Sequence, residues 1–222
     1  MRIAFRLRLG LNPVASMPLW CACGEFLDRD PWHAMSCSRL KRRSITKRHD
    51  SVLQILCRFA SSHGVLTQIE PNNYEGSRPD AELYFTEKRY HTDVSITHPG
   101  CPTYRPAAAK TALAAAGRRA KAKNKRYVEF SSSQGCGFTS FVCETYGGFH
   151  VDASKLLKSI VDEGASMDDA LGPLHGGCSV SLIKQIISID IQRGNAKIVR
   201  QWVAQKHASK VGGPSLHDLG LL

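Results

Sequence analysis

The chain has 222 residues, 42% from the apolar set and 22% charged, which suits a soluble globular protein of one domain with additions. A chain of this length buries roughly 70% of its unfolded surface and needs no disulfide staples; no stretch nears the ~18 to 20 consecutive apolar residues of a membrane span, and the start, MRIAFRLRLGLNP, is too charged for a secretory signal. The expectation is an intracellular protein without a membrane partner, and the excess of 30 Lys and Arg over 19 Asp and Glu, a net +11, adds a second one. Residues 1 to 50 hold ten basic and four acidic side chains, and residues 105 to 126 hold eight basic and none acidic. Two one-signed blocks in one chain favour a polyanion such as nucleic acid over merely solvated faces.

In chain order, the first chemical signal is Cys21, Cys23, His33 and Cys37, spaced C-x-C-x9-H-x3-C. Four soft or borderline donors are the number that tetrahedral zinc takes, and the spacing predicts a structural zinc site standing in for a core in a short loop. Trp20 and Trp32 flank the ligands and suit either packing beneath the metal or stacking on bases. The cation-dense run SRLKRRSITKRHD follows, then Val52, Ile55, Leu56, Phe59 and Ala60 at the spacing of an amphipathic helix that Gly64 ends. VLTQIE, residues 65 to 70, reads as a strand ended by Pro71. Ala81 to Thr86 and Tyr90 to Thr97 read as a hairpin, with His91, Asp93 and Ser95 on one face of its second strand.

Pro106 to Arg126, rich in Ala, Lys and Arg, predicts a long basic helix with Gly117 as its weak spot. Tyr127 to Phe130 and Phe138 to Glu144 read as strands separated by SSSQGCG. Residues 150 to 222 predict a helix over 153 to 162, a Gly and Pro break at 172 to 177, a helix from Val180 towards Ile191, and a frayed VGGPSLHDLGLL end. Ser166-Met167-Asp168-Asp169 imitates a polymerase acid motif, but only 165 residues precede it, so an acidic loop is expected.

Twelve residues separate Asp80 from Asp93, and hairpin pairing can bring the two carboxylates together. Paired carboxylates either raise a pKa or bind a hard divalent cation, whose water can attack a phosphodiester. The alternative is two solvated aspartates at turns or strand ends.

The order of helix, strand, R-P-D strand, D-x-S strand, basic helix and strand resembles that of PD-(D/E)xK nucleases. C-x-C-G, H-A-M-x-C, Lys47-Arg48-His49-Asp50, Glu70-Pro71, Arg78-Pro79-Asp80, Asp93-Val94-Ser95-Ile96-Thr97 and the K-x-x-x-Y of Lys123 to Tyr127 together look like the C-terminal region of a non-LTR retrotransposon polyprotein. In that family a CCHC zinc knuckle precedes a restriction-enzyme-like endonuclease that nicks target DNA to prime reverse transcription. The likeness covers residues ~18 to 148; RLRLGL at the start resembles the lead-in to the knuckle, and Ile189 to Arg193 with Gly194-Asn195-Ala196 resembles the following tail.

The resemblance implies an α/β fold, a restriction-endonuclease-like mixed sheet flanked by helices, divided into a lead-in (1–17), a zinc knuckle (18–43), an endonuclease domain (44–149) and a helical tail (150–222). It implies that Asp80 and Asp93 ligate Mg²⁺ or Mn²⁺, with Glu70 as a third carboxylate or an orienting group. The usual signature lysine, two residues after the second acid, is Ser95 here. The family's displaced lysine matches Lys123, with Lys121 and Lys125 as neighbours that compete. Arg48 and His49 match a family signature and would approach the DNA backbone or brace the acids, although a histidine there could equally be a core hydrogen-bonder. Arg42, Arg43, Lys47, Arg78, Arg118, Arg119, Lys121 and Lys125 complete the nucleic-acid contacts expected from the basic blocks. The implied partners are target DNA and element RNA in the nucleus, without the polymerase domain. A non-catalytic nucleic-acid-binding fragment of a decayed element is the alternative. A host repair or junction nuclease on the same fold is disfavoured by the knuckle placed directly ahead of the nuclease.

Overall fold

The computed structural model describes residues 2–14, 20–21, 23–27, 30–37, 39, 43–72, 74, 77–171 and 178–208. Among them lie helices α1 (Arg2–Arg8), α2 (Arg43–Ser61), α3 (Arg105–Ala108), α4 (Ala114–Ser133), α5 (Val151–Leu171) and α6 (Val180–Ala208). The strands are β1 (Leu66–Ile69), β2 (Ala81–Tyr84), β3 (Arg89–Thr97) and β4 (Gly137–Glu144). They form one mixed sheet in the order β1-β2-β3-β4, antiparallel except for the parallel β3–β4 pair. Helix α4 supplies the crossover that a parallel pair requires.

Strand parity divides the sheet into an apolar and a polar face. Ala81, Leu83, Val94, Phe141 and Cys143 point to one side, where Val52, Leu56 and Ala60 of α2, Leu157 and Ile160 of α5 and Ile187 of α6 close over them. The alternate residues point to the other side, beneath α4. There Ala116 and Ala120 pack on Val142, the small side chains letting the helix lie close to β4. Asp80, Glu82, His91, Asp93 and Ser95 fall on this second face by register. The two-residue strand period therefore assigns oil to one face and chemistry to the other.

A second core backs the cysteine cluster. Ile3 and Leu7 of α1, Leu27, and Ile198, Val199, Trp202 and Val203 of α6 surround Cys21 and Cys37. The cysteine–histidine cluster, expected from the sequence to sit in a short loop with a metal in place of a core, is one wall of a small hydrophobic core. Helix α6 joins the two cores. Its Ile183, Ile187 and Ile191 serve the sheet and its last turns serve the knuckle. Between them Gln192 Nε2 and Asn195 Nδ2 both donate to the Thr145 carbonyl, at 2.7 and 2.8 Å. Helices α5 and α6, read from the sequence as a tail, are built into the core: α5 packs in the sheet core and α6 in both.

Three expectations change. Tyr127 to Phe130 is helical, not a strand: α4 runs on to Ser133, and Gly135, at φ 68°, lets Cys136 N reach the Ser131 carbonyl at 2.9 Å. The aromatic and β-branched residues there yield to burial, since Tyr127 lies one turn beyond Lys123 on the stripe that faces the sheet. The basic helix is broken, because α3 ends at Ala108 and α4 starts only after Leu113, which adopts φ 61°. Ser166 to Asp169 falls within α5 rather than in a loop. The 172–177 break and the VGGPSLHDLGLL end lie outside the described residues.

Substituting Ile187, fully buried, tests the role of α6 in the core. Ile187→Ala should cost about 2–5 kcal/mol in urea unfolding, whereas Ile189→Ala, at a position 44% exposed, should stay within about 0.5 kcal/mol.

Candidate active site and metal cluster

Asp80 sits immediately before β2, and its amide donates to the Thr92 carbonyl at 3.0 Å, continuing the β2–β3 ladder by one residue. Because Ala81 pairs with Thr92, Asp80 faces Asp93 across the two strands. Asp80 Oδ2 accepts from the Val94 amide at 2.7 Å and from His49 Nε2 at 3.0 Å. His49 Nδ1 lies 3.1 Å from Asp50 Oδ1. The bond to Asp80, reinforced by Asp50 and opposed by burial, raises His49 to about 9, so this histidine is an imidazolium at neutral pH.

Asp93 is only 3% exposed, and burial together with the charge of Asp80 holds its carboxyl above the ordinary range. Lys123 Nζ opposes that rise from 2.5 Å. One turn earlier on α4, Arg119 Nε donates to Ser95 Oγ at 3.2 Å. One turn later Tyr127, buried and pushed up to about 12 by its surroundings and then by Asp93, donates from its hydroxyl to the Arg78 carbonyl at 3.2 Å. Helix positions 119, 123 and 127 thus descend the sheet beside strand positions 95 and 93. Four helical residues rise about 6 Å and two strand residues about 6.7 Å, which lets the two stripes stay in step. Ser95, standing where a signature lysine was sought, fixes Arg119 instead.

His49, Asp80, Asp93, Ser95, Arg119 and Lys123 line a cavity of about 500 Å³ whose further wall includes Met35 and Ser36 from the knuckle. Of the three competing lysines, Lys123 alone lines this cavity; Lys121 and Lys125 point to solvent. Glu70 does not join the acids. Its carboxylate is ion-paired at 3.1 Å with Arg78, both side chains being more than half exposed. Glu70 adopts φ 47°, and its amide still donates to the Asp80 carbonyl at 2.8 Å, so its backbone stays beside the acids while its side chain is outside the cavity lining.

Arg48 is drawn inside the fold, although it also lines the cavity of the acids. It is 6% exposed, its Nη1 donates to Asn195 Oδ1 at 2.6 Å, and burial lowers it to about 10. A methyl group on Gly194 would come within 2.5 Å of Arg48 Cγ, so the arginine lies directly on α6. Sequence reasoning missed this brace because its halves are 147 residues apart. Arg118 is exposed, stacks over Tyr104 at 5.8 Å and donates to the Thr103 carbonyl. Arg43 and Lys47 are exposed on α2, and Arg42 lies outside the described residues.

The second site assembles as its spacing implied. Cys21, Cys23, His33 and Cys37 bring their ligand atoms within 4.8 Å of one another, Cys21 Sγ lying 3.7 Å from Cys37 Sγ and Cys23 Sγ 3.2 Å from His33 Nε2. This cluster could hold a metal ion such as zinc. Gly24, at φ 94°, makes the tight turn in which Cys21 N bonds the Glu25 carbonyl at 2.8 Å. Asp30 lies 3.8 Å from His33 Nδ1, and its carboxylate is the largest cause that raises the ring's pKa, against burial. A carboxylate behind a ligand histidine orients the ring and increases its basicity. Burial pushes the Cys37 thiol up to about 11, so metal uptake must expel protons and weakens as pH falls. Trp32 donates to the Leu7 carbonyl at 2.7 Å, which makes it a packing residue. Trp20 remains 62% exposed, tilted against Phe26 with ring centroids 4.9 Å apart.

No protein-family model matches the chain, and no curated protein matches it either. None of the described helices is long and apolar enough to cross a membrane.

Two measurements test these geometries. Cys37→Ser should lower the zinc content of the purified protein by about one ion per chain; an unchanged content would exclude the cluster as a zinc site. His49 has a folded pKa above its unfolded value, so the stability it contributes is complete below its ordinary 6.5 and disappears as pH rises through about 9. Chemical unfolding of the wild type from pH 6 to 10 should show a loss of up to about 3 kcal/mol that His49→Asn lacks.

Proposed function

We propose that this chain is a metal-dependent DNA endonuclease of restriction-enzyme-like architecture, from the end of a non-LTR retrotransposon polyprotein. The observation that carries the reading is the pairing of Asp80 and Asp93 across β2 and β3, with Lys123 on Asp93 at 2.5 Å inside an open cavity. Two carboxylates with hard oxygen donors suit Mg²⁺ or Mn²⁺. The upward shift of Asp93 supports that fit, since a shared cation relieves the repulsion and burial that cause it. Asp80 and Asp93 would hold the ion, which supplies a water of lowered pKa and Lewis acidity.

The chain's own groups do the rest. His49 and the Val94 amide fix the Asp80 carboxylate, and Lys123 fixes Asp93. In the same cavity the Lys123 ammonium and the Arg119 guanidinium offer positive charge to a phosphodiester and to the negative charge that grows on it during attack. Hydrolysis would leave 3′-hydroxyl and 5′-phosphate ends, the former a primer for reverse transcription. The exposed Trp20–Phe26 pair beside the cysteine cluster and the exposed Arg43 and Lys47 on α2 would contact DNA or element RNA, with phosphate contacts setting register and aromatic rings accepting unpaired bases. Such a protein would act in the nucleus.

One observation favours a second reading, a non-catalytic binding fragment. Both acids already have cationic partners within the fold, His49 for Asp80 and Lys123 for Asp93, as purely structural acids would. Nicking of supercoiled plasmid in Mg²⁺ or Mn²⁺ separates the two. The nuclease requires metal-dependent nicking that falls at least about 100-fold in Asp80→Ala, Asp93→Ala and Lys123→Ala. DNA binding should survive those changes and weaken steeply between about 50 and 200 mM salt. Binding without nicking in the wild type would establish the fragment.

A further inference from the structure

The polar face of the sheet continues past the two aspartates to a second group of metal-binding side chains. One step along each strand from Asp80 and Asp93, β2 and β3 set Glu82 opposite His91. Cys136 joins them from the turn between α4 and β4, where Gly135 takes its positive φ. All three are buried, at 1%, 0% and 5% exposure. Their ligand atoms lie within 4.8 Å of one another. Cys136 Sγ is 3.6 Å from Glu82 Oε1, and His91 Nε2 is 4.0 Å from Glu82 Oε2.

These distances are informative. At 4.0 Å the histidine and the carboxylate are too far apart for a hydrogen bond. Donors bound 2.0–2.3 Å from a tetrahedral ion, however, stand about 3.3–3.8 Å from one another. The histidine is also oriented for the purpose. Its Nδ1 lies 3.0 Å from Ser131 Oγ on α4, its ring stacks on Phe130, and its Nε2 is turned towards Glu82 without a hydrogen-bond partner in a fully buried position. An orphaned ring nitrogen in such a place is costly unless something binds it.

Charge points the same way. Glu82 accepts from the Tyr74 hydroxyl at 2.8 Å, and its nearest cation is Arg89 at 3.5 Å, a side chain 46% exposed. A buried carboxylate whose one positively charged partner among the described residues is a half-exposed arginine is poorly compensated in charge. A dication bound by the Glu82 carboxylate, the neutral His91 ring and the Cys136 thiolate balances its two charges locally, with the thiol proton released to solvent.

We propose that Glu82, His91 and Cys136 form a second zinc site, separate from the four-ligand cluster, with water in the fourth position. One sulfur, one nitrogen and one oxygen donor select a borderline ion such as Zn²⁺ over Mg²⁺. The ion ties β2 and β3 to the α4–β4 turn and so holds the strand pairing on which the Asp80–Asp93 juxtaposition depends. The site stands whether or not the chain cleaves DNA.

Elemental analysis of the full chain, purified in zinc-replete buffer, should find about two zinc ions per protein. Cys136→Ser and Cys37→Ser should each remove a different one. Protein produced in cobalt-supplemented medium gives a second readout on the wild type alone: a strong thiolate-to-cobalt band from the three-cysteine cluster and a weaker one from a single thiolate. Cys136→Ser should abolish only the weaker band, and His91→Gln should shift it. One metal ion per wild-type chain with the three-thiolate spectrum alone would overturn the proposal, even where a variant fails to fold. So would a second ion undisturbed by both substitutions.

Discussion

The contact between Lys123 and Asp93 is the point on which the polar half of the molecule turns. A carboxylate 3% exposed beside a second carboxylate is unfavourable in isolation, and the fold supplies one cation to each acid from a different direction. Lys123 comes from the crossover helix on the polar face and His49 from the N-terminal part of α2, the helix whose later turns pack on the apolar face. The β2–β3 register, the placement of α4 and the N-terminal turns of α2 must all be correct for both pairs to form. A shift of α4 or of the β2–β3 register that separates Lys123 from Asp93 leaves a buried charge uncompensated, which costs several times what a surface ion pair contributes.

The separation of faces follows from the same constraint. With aspartates, Glu82, His91 and Ser95 all on one side of the sheet, the apolar core has to be made on the other, and α2, α5 and α6 make it. The polar face then needs a cover that brings its own partners. Helix α4 does this with small residues where it touches β4 and a cation, a phenol and a hydroxyl along one stripe: Lys123 for Asp93, Tyr127 for the Arg78 carbonyl beside Asp80, and Ser131 for His91. The matching rise of helix and strand lets each partner meet its acid or base without distortion.

Helix α6 couples the cysteine cluster to this arrangement. It contributes apolar side chains to the sheet core and to the core behind the cysteines, and Asn195 clasps Arg48 one residue from the histidine that holds Asp80. Met35 and Ser36 of the knuckle consequently form part of the same cavity wall as the acids. On the proposed reading, a nucleic acid held by the knuckle is delivered directly to the acids.

Much of this was legible in the sequence because it depends on local periods. The two-residue alternation of β3, the hairpin pairing of Asp80 with Asp93 and the four-ligand spacing of the cysteines and histidine all survive in the structure; Lys123, which the family resemblance rather than any local period singled out, is the one of the three lysines that lines the cavity. What local periods could not determine was decided by packing. Tyr127 to Phe130 has strand-forming residues yet is helical, because burying Tyr127 on the α4 stripe outweighs intrinsic preference. Glu70 looked like a third carboxylate or an orienting group, but its side chain is ion-paired with Arg78 outside the cavity lining. Arg48 looked like a phosphate contact or a brace for the acids, and it is Asn195 and Gly194, far along the chain, that hold it inside at the wall of the cavity. By itself the sequence determined which residues could share a strand face, a helix stripe or a metal; only the tertiary structure decided which charges are buried together, since that depends on contacts between segments no local pattern connects.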